Sequence, residues 1–264
     1  MSPVFPVVAS SASYRAAVAE LPGSARHAEA VQGAVVVIPG EGDWWKVLLE
    51  AQAAGASAAV VSHPHSVPAA AEAGLVTIPV VVERPHLRAD ATAEAVRRRV
   101  DSRPALLTIE CGAPAADFDR VLRDGLRWAE VLAGGPVRVV SGSIPADGGM
   151  ALLEARPLTV VAPVPVTVLA TVLGSKARTP LLRVSALGEV RTVVEWAGLG
   201  SGISITTSTE NGSTHAPNCY EGSARLALRR AMEAAATGAV LPDLGELVAD
   251  QRIVAELSQE HKQG

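Results

Sequence analysis

Cysteine is scarce in this 264-residue chain. Cys111 and Cys219 are too few for a disulfide scaffold, so a reducing cytoplasm is the expected setting. Basic excess is lacking too. The formal charge is -4 and the pI about 5.9, which removes any general pull toward nucleic acid or an anionic membrane. The Arg97-Arg98-Arg99 run reads as a solvated helix face. No basic stretch precedes a sustained apolar one at the amino terminus, and Pro3 and Pro6 come early, so no export signal is expected. Residues 157–175 are uncharged and long enough to span a membrane. Pro157, Pro163, Pro165 and three threonines make them a poor spanning helix, and a buried strand and helix are expected instead. A Gly-x-Ser-x-Gly elbow is also missing, which argues against a serine hydrolase.

What is present is alternation. Apolar runs at 4–8, 34–38, 58–62 and 79–83 read as strands, and helical spacing at 13–21 and 44–54, with Asp43 as a cap, reads as helices between them. An alanine-rich, helix-length segment ending at Gly74 joins the third and fourth runs. This is the pattern of a parallel α/β layer covered on both faces. A helix at 90–100, a strand at 105–111 and a helix at 117–132 continue it. Beyond Gly134-Gly135-Pro136 the texture changes to successive strands at 137–141, 181–185, 190–196 and 203–207, then closing helices at 221–236 and 244–257. Two domains are therefore expected, a Rossmann-like one over 1–134 and an α+β one over 135–264.

Ligands of parallel sheets sit outside the carboxyl ends of the strands. Gly40-Glu41-Gly42 follows a strand and opens a helix, where glycines let a pyrophosphate approach a helix amino terminus. Trp45 stands at the third glycine position, and Glu41 and Asp43 bring negative charge to the turn. Glu83 is an acidic candidate for a ribose, but it lies too far along for the usual spacing. His63, His65 and His86 could gather at one sheet edge; Pro64 interrupts the first pair and no Cys or carboxylate completes a set, so no metal is expected. His215, in the polar 211–220 stretch, reads as a loop residue beside an Asn-Gly turn.

Three segments carry a resemblance. Residues 58–85 end in Glu83-Arg84-Pro85, where the glucose-fructose oxidoreductase, inositol dehydrogenase and rhizopine-catabolism (Gfo/Idh/MocA) family has Glu-Lys-Pro. Gly148-Gly149-Met150-Ala151-Leu152-Leu153-Glu154 resembles the family's glycine-rich segment, which starts the helix carrying a catalytic histidine. Residues 220–257 resemble its closing helices. The resemblance implies a Rossmann-like parallel sheet followed by an α+β domain with an open, largely antiparallel sheet. It further implies an NAD(P) cofactor near Gly40, Gly42, Glu83, Arg84 and Pro85, and a homo-oligomer or a hetero-oligomer with an active relative. A small-molecule ligand is expected, with neither nucleic acid nor membrane as partner.

The same resemblance places Arg84 where the family has lysine, Leu158 where it has its histidine and Val161 where it has an acid. Arginine stays protonated, and aliphatic side chains move no proton, so a non-catalytic binding or partner subunit is expected. The alternative is an active NAD(P)-dependent oxidoreductase on a sugar or polyol that uses a relocated group such as His86 or His215.

Overall fold

The valine-rich runs that carry no charge become parallel strands buried on both faces. The computed structural model describes residues 3–68, 71–99, 102–158, 162–174, 179–197, 202–219 and 221–259. In chain order its elements are β1 (Phe5–Val8), α1 (Ala12–Ala19), β2 (Ala25–His27), β3 (Val35–Pro39), α2 (Trp44–Ala53), β4 (Ala58–Ser62), β5 (Val80–Glu83) and α3 (Ala89–Arg98). There follow β6 (Leu106–Ala113), α4 (Phe118–Ala133), β7 (Val137–Ser143), β8 (Gly148–Ala155), β9 (Val164–Val172), β10 (Leu181–Leu187), β11 (Arg191–Ala197), β12 (Ser204–Thr209), β13 (Gly212–His215), α5 (Ser223–Thr237) and α6 (Asp243–Leu257).

Two compact units result, one of residues 1–85 with 220–249 and the other of 86–219 with 250–264. The expected boundary at 134/135 falls inside the second unit. The physical reason is strand pairing: β6 joins β9 in parallel and β10 antiparallel, so the last strand of the sequence alternation belongs to the second sheet.

The first unit is a five-stranded parallel sheet in the order β2-β1-β3-β4-β5. Alternate residues serve opposite faces. Val35 and Val37 pack with Tyr14, Val18, Leu228 and Met232 on one side; Val36 and Ile38 pack with Trp44, Leu48, Leu244 and Leu247 on the other. The crossover from β4 to β5 contains, among its described residues, only a short 3-10 turn, Ala73–Leu75, and no α-helix. Proline at 64 and 68 suits an extended path better than a helix interior. On the α2 face the crossover's Ala71 and α6's Leu244, Leu247 and Val248 cover Ala59, Val61, Val80 and Val82, while α5 lies beside α1 on the opposite face, packing Ala227, Leu228 and Ala231 against Val60 and Val81. Asp243, at the start of α6, accepts the Val82 N–H of edge strand β5 at 3.1 Å and pairs with Arg230 at 2.8 and 2.9 Å.

The second unit is an eight-stranded sheet in the order β13-β12-β11-β10-β6-β9-β8-β7, antiparallel except at β6 and β9. One face packs on α4, whose Gly125 lies where a β-carbon would stand 2.8 Å from Ile109 Cγ2 and 3.0 Å from Leu182 Cδ1. The other face is open. Met150, Leu152, Leu169 and Leu181 are exposed on it, Met150 directly opposite Leu169, beside the cross-strand row Glu110, Arg183 and Glu195.

Residues 148–154 lie in β8, so they start no helix. Alternate side chains of β8, Ala151, Leu153 and Ala155, are buried while Met150 and Leu152 are exposed, the period of a strand. The 157–175 stretch supplies β9, and the polar 212–215 segment forms β13, a hairpin partner of β12. No described helix is long and apolar enough to cross a membrane.

Candidate functional site

Reversal of strand order in the first sheet occurs between β1 and β3, and ligands of open parallel sheets bind outside the carboxyl ends at such a point. The β1–α1 turn there is Ala9-Ser10-Ser11. Ser11 is the N-cap residue in extended conformation, without a side-chain cap hydrogen bond, and the first helical bond runs from Arg15 N to Ser11 O. The N–H groups of Ala12, Ser13 and Tyr14 precede it and have no acceptor within the helix. Glu29 stands two residues beyond β2, exposed, and Arg26 lies exposed on β2.

Gly40 and Gly42 sit at the end of β3. A side chain on Gly40 would collide with the Pro64 backbone and come to 2.6 Å from Ser62 O. The β4 continuation is fastened there: Gly40 N donates to Ser62 O at 2.7 Å, His65 N to Gly40 O at 3.1 Å, and Trp44 Nε1 to Ser66 O at 2.7 Å. What approaches Gly40 is thus the chain's own 62–66 segment. Gly42 has φ +61°, a left-handed conformation that favours glycine. Trp44 and Trp45 are buried edge to face at 5.5 Å in the core beneath this turn.

Glu83 ends β5 as a hub. Its Oε2 accepts from Tyr14 Oη at 2.5 Å and Ser62 Oγ at 2.9 Å, and its Oε1 accepts from Ser223 Oγ at 2.5 Å. His63 Nε2 stands 3.4 Å from Oε1, with the imidazole 46% exposed and the carboxylate 5%. Burial alone would raise the Glu83 pKa; hydrogen bonds from His63, Ser223 and Tyr14 together with the His63 charge outweigh it and hold the carboxyl down to about 2. Tyr14 is pushed the other way, first by burial and then by the Glu83 charge. Arg84 is buried and Pro85 half-buried at the end of this unit. An apolar cleft of about 300 Å³ lined by Val76, Ile78, Val80, Val240 and Leu244 lies at the amino end of β5, away from this edge.

The remaining histidines do not join it. His86 belongs to the second unit, where it is 2% exposed, holds Asp124 Oδ2 through Nδ1 at 3.0 Å and lies 3.9 Å from the Trp196 ring. His215 is on β13, with Nδ1 3.0 Å from Thr206 Oγ1. Among the described residues no group of three or more His, Cys, Asp or Glu side chains converges as a metal site would require.

Leu158 is 86% exposed in a turn after β8, and Val161 lies outside the described residues. Their placement at the family's catalytic positions required a helix beginning at Gly148, which is not there, so the inference drawn from Leu158 loses its basis. Tyr14, Ser62, Ser223, Ser11 and Glu29 were missed in the sequence. A signal existed for Glu29, which lies 20 positions after Ala9, the first residue beyond β1, the spacing at which an acid meets a ribose. A three-residue β2 concealed it.

No family model matches the sequence, and no curated protein matches it. Solved structures do. UDP-N-acetylglucosamine 3-dehydrogenase GnnA from Acidithiobacillus ferrooxidans aligns over 97% of this chain and 96% of its own, with a TM-score of 0.54 and 13% identity. KijD10, a 3-ketoreductase from Actinomadura kijaniata solved with NADP, aligns over 97% of each chain with a TM-score of 0.58 and 11% identity. The chain therefore has the fold of these two-part oxidoreductases.

Proposed function

We propose that this chain is a nicotinamide-dinucleotide-binding homologue of the Gfo/Idh/MocA oxidoreductases that works as a subunit of an oligomer. The observation that carries the reading is the reversal of strand order between β1 and β3, with the amino end of α1, whose Ser11 makes no side-chain cap bond, at the carboxyl end of β1. The pyrophosphate would meet the N–H groups at Ser11 to Tyr14, which a helix end offers to an anion. Glu29 would accept from a ribose hydroxyl, and Arg26 is the nearby cation for a 2′-phosphate. Gly42 would border the same edge from β3, and Glu83, Arg84 and Pro85 would frame its far end through Glu83's hold on Tyr14, Ser62 and Ser223. KijD10 being solved with NADP supports the cofactor class.

The open face of the second sheet supports the oligomer. Its exposed Met150, Leu152 and Leu169 form an apolar patch next to the Glu110, Arg183 and Glu195 row, which suits association with a second copy or a relative. Fluorescence titration of the purified protein with NADPH and NADH tests the cofactor half. Saturable binding at one site per chain is expected, and a flat response to both overturns the reading.

A further inference from the structure

We propose that His63, backed by Glu83, is the proton carrier of a carbinol–ketone oxidoreduction at the carboxyl ends of β4 and β5; the proposal rests on the cofactor reading above. His63 is the one non-glycine residue, among those described, with a positive φ, +52°. That conformation is costly for a side chain carrying a β-carbon and recurs at functional sites where the surroundings enforce it. Here the enforcement is visible: His63 N donates to Glu83 O at 3.0 Å, and Nε2 meets Oε1 of a carboxylate that Tyr14, Ser62 and Ser223 hold in place. The turn lifts the ring out of the sheet end, half exposed above a buried anion. Of the described histidines in this unit, only His63 has a carboxylate behind it. His86 is closed off by Asp124 and Trp196.

Position agrees with role. Strands of one sheet are about 4.8 Å apart, so β4 lies two steps, about 10 Å, from β1. His63 would then lie on the β3 side of a dinucleotide held at the amino end of α1. In the oxidative direction His63 Nδ1 would take the carbinol's hydroxyl proton, and a bound oxidised nicotinamide would supply the acceptor for its C–H hydride, leaving a ketone. Glu83 remains ionised and balances the imidazolium; in reduction both transfers reverse.

Glycine suits a positive φ, so His63→Gly removes the ring without straining the turn. The full chain and this variant are compared with NAD+ and NADP+ on UDP-N-acetylglucosamine, glucose and myo-inositol, following formation of reduced cofactor, with cofactor affinity titrated in parallel. The expected result is turnover by the wild type on at least one of these carbinols. The variant should show a 100-fold or greater loss of kcat, unchanged cofactor affinity within threefold, and partial recovery on adding free imidazole. A wild type that binds cofactor but oxidises none of the three overturns the proposal alone, as does a variant that turns over at the wild-type rate or is insensitive to imidazole. Absence of cofactor binding by the wild type overturns the cofactor reading and this proposal with it.

Discussion

The Tyr14 hydroxyl on α1 donates to Glu83 Oε2 at the end of β5 at 2.5 Å, joining residues 69 positions apart in the sequence. Through Glu83 the same contact reaches Ser62 on β4 and Ser223 on α5. One carboxylate therefore ties the helix of the first crossover, the end of the sheet and a helix that arrives from the other end of the chain.

Stability should report this hub. Tyr14→Phe removes one hydrogen bond to a charged, buried acceptor and should lower the unfolding free energy by about 1.5–3 kcal/mol, measured by urea denaturation. A loss below a few tenths of a kcal/mol would mean that the bond contributes little.

The hub also predicts acid sensitivity. The Glu83 carboxyl is held at about 2 in the folded chain against an ordinary value of 4.5. Its contribution is thus fully present above about pH 4.5 and lost as pH falls through about 2, and a shift of this size corresponds to about 3 kcal/mol. Glu83→Gln should be less stable than the wild type at neutral pH, and the difference should shrink toward pH 2. A difference independent of pH in that range contradicts the assignment.

Helix α4 offers a contest of magnitudes. Gly125→Ala gains about 1 kcal/mol of helix propensity, but its methyl group must enter the contact with Ile109 and Leu182, and overpacking costs about 1–3 kcal/mol. The net effect is expected to be destabilising. A raised Tm would show that α4 stands further from β6 and β10 than described.

The open sheet face predicts a change in assembly. Met150→Asp combined with Leu169→Asp places two charges on the exposed apolar pair and should convert an oligomer to a 27.1 kDa monomer without lowering Tm by more than a few degrees. Light scattering that shows the same mass for wild type and variant sinks the assignment of this face.

Most regular elements were legible in the sequence because their burial is periodic. The runs of β3, β4 and β5 are buried on both faces, and α2 and α4 keep helical spacing under clear stops at Gly55 and Gly134. Where reading failed, the cause is tertiary. β6 has the apolar texture of a parallel strand and does pair in parallel, but with β9, a strand more than fifty residues later. The glycines of β8 suggested a helix start, whereas Gly148 and Gly149 serve close strand approach: side chains there would meet Ala170 O and Ser143 O, each at 2.5 Å. Of the candidate site, Glu83 was visible as the end of a strand. Its partners were not, because Tyr14 and Ser223 reach it from helices distant in sequence.

The cofactor reading turns most sharply on Ser11. An aspartate there is a good N-cap and favours the α1 dipole, so Ser11→Asp should keep or raise Tm, yet it sets a negative charge where the pyrophosphate is proposed to lie. The decisive measurement is the NADPH affinity of wild type and Ser11→Asp by fluorescence titration. The account predicts saturable wild-type binding and at least tenfold weaker binding by the variant; absence of wild-type binding, or equal affinity in a folded variant, contradicts it.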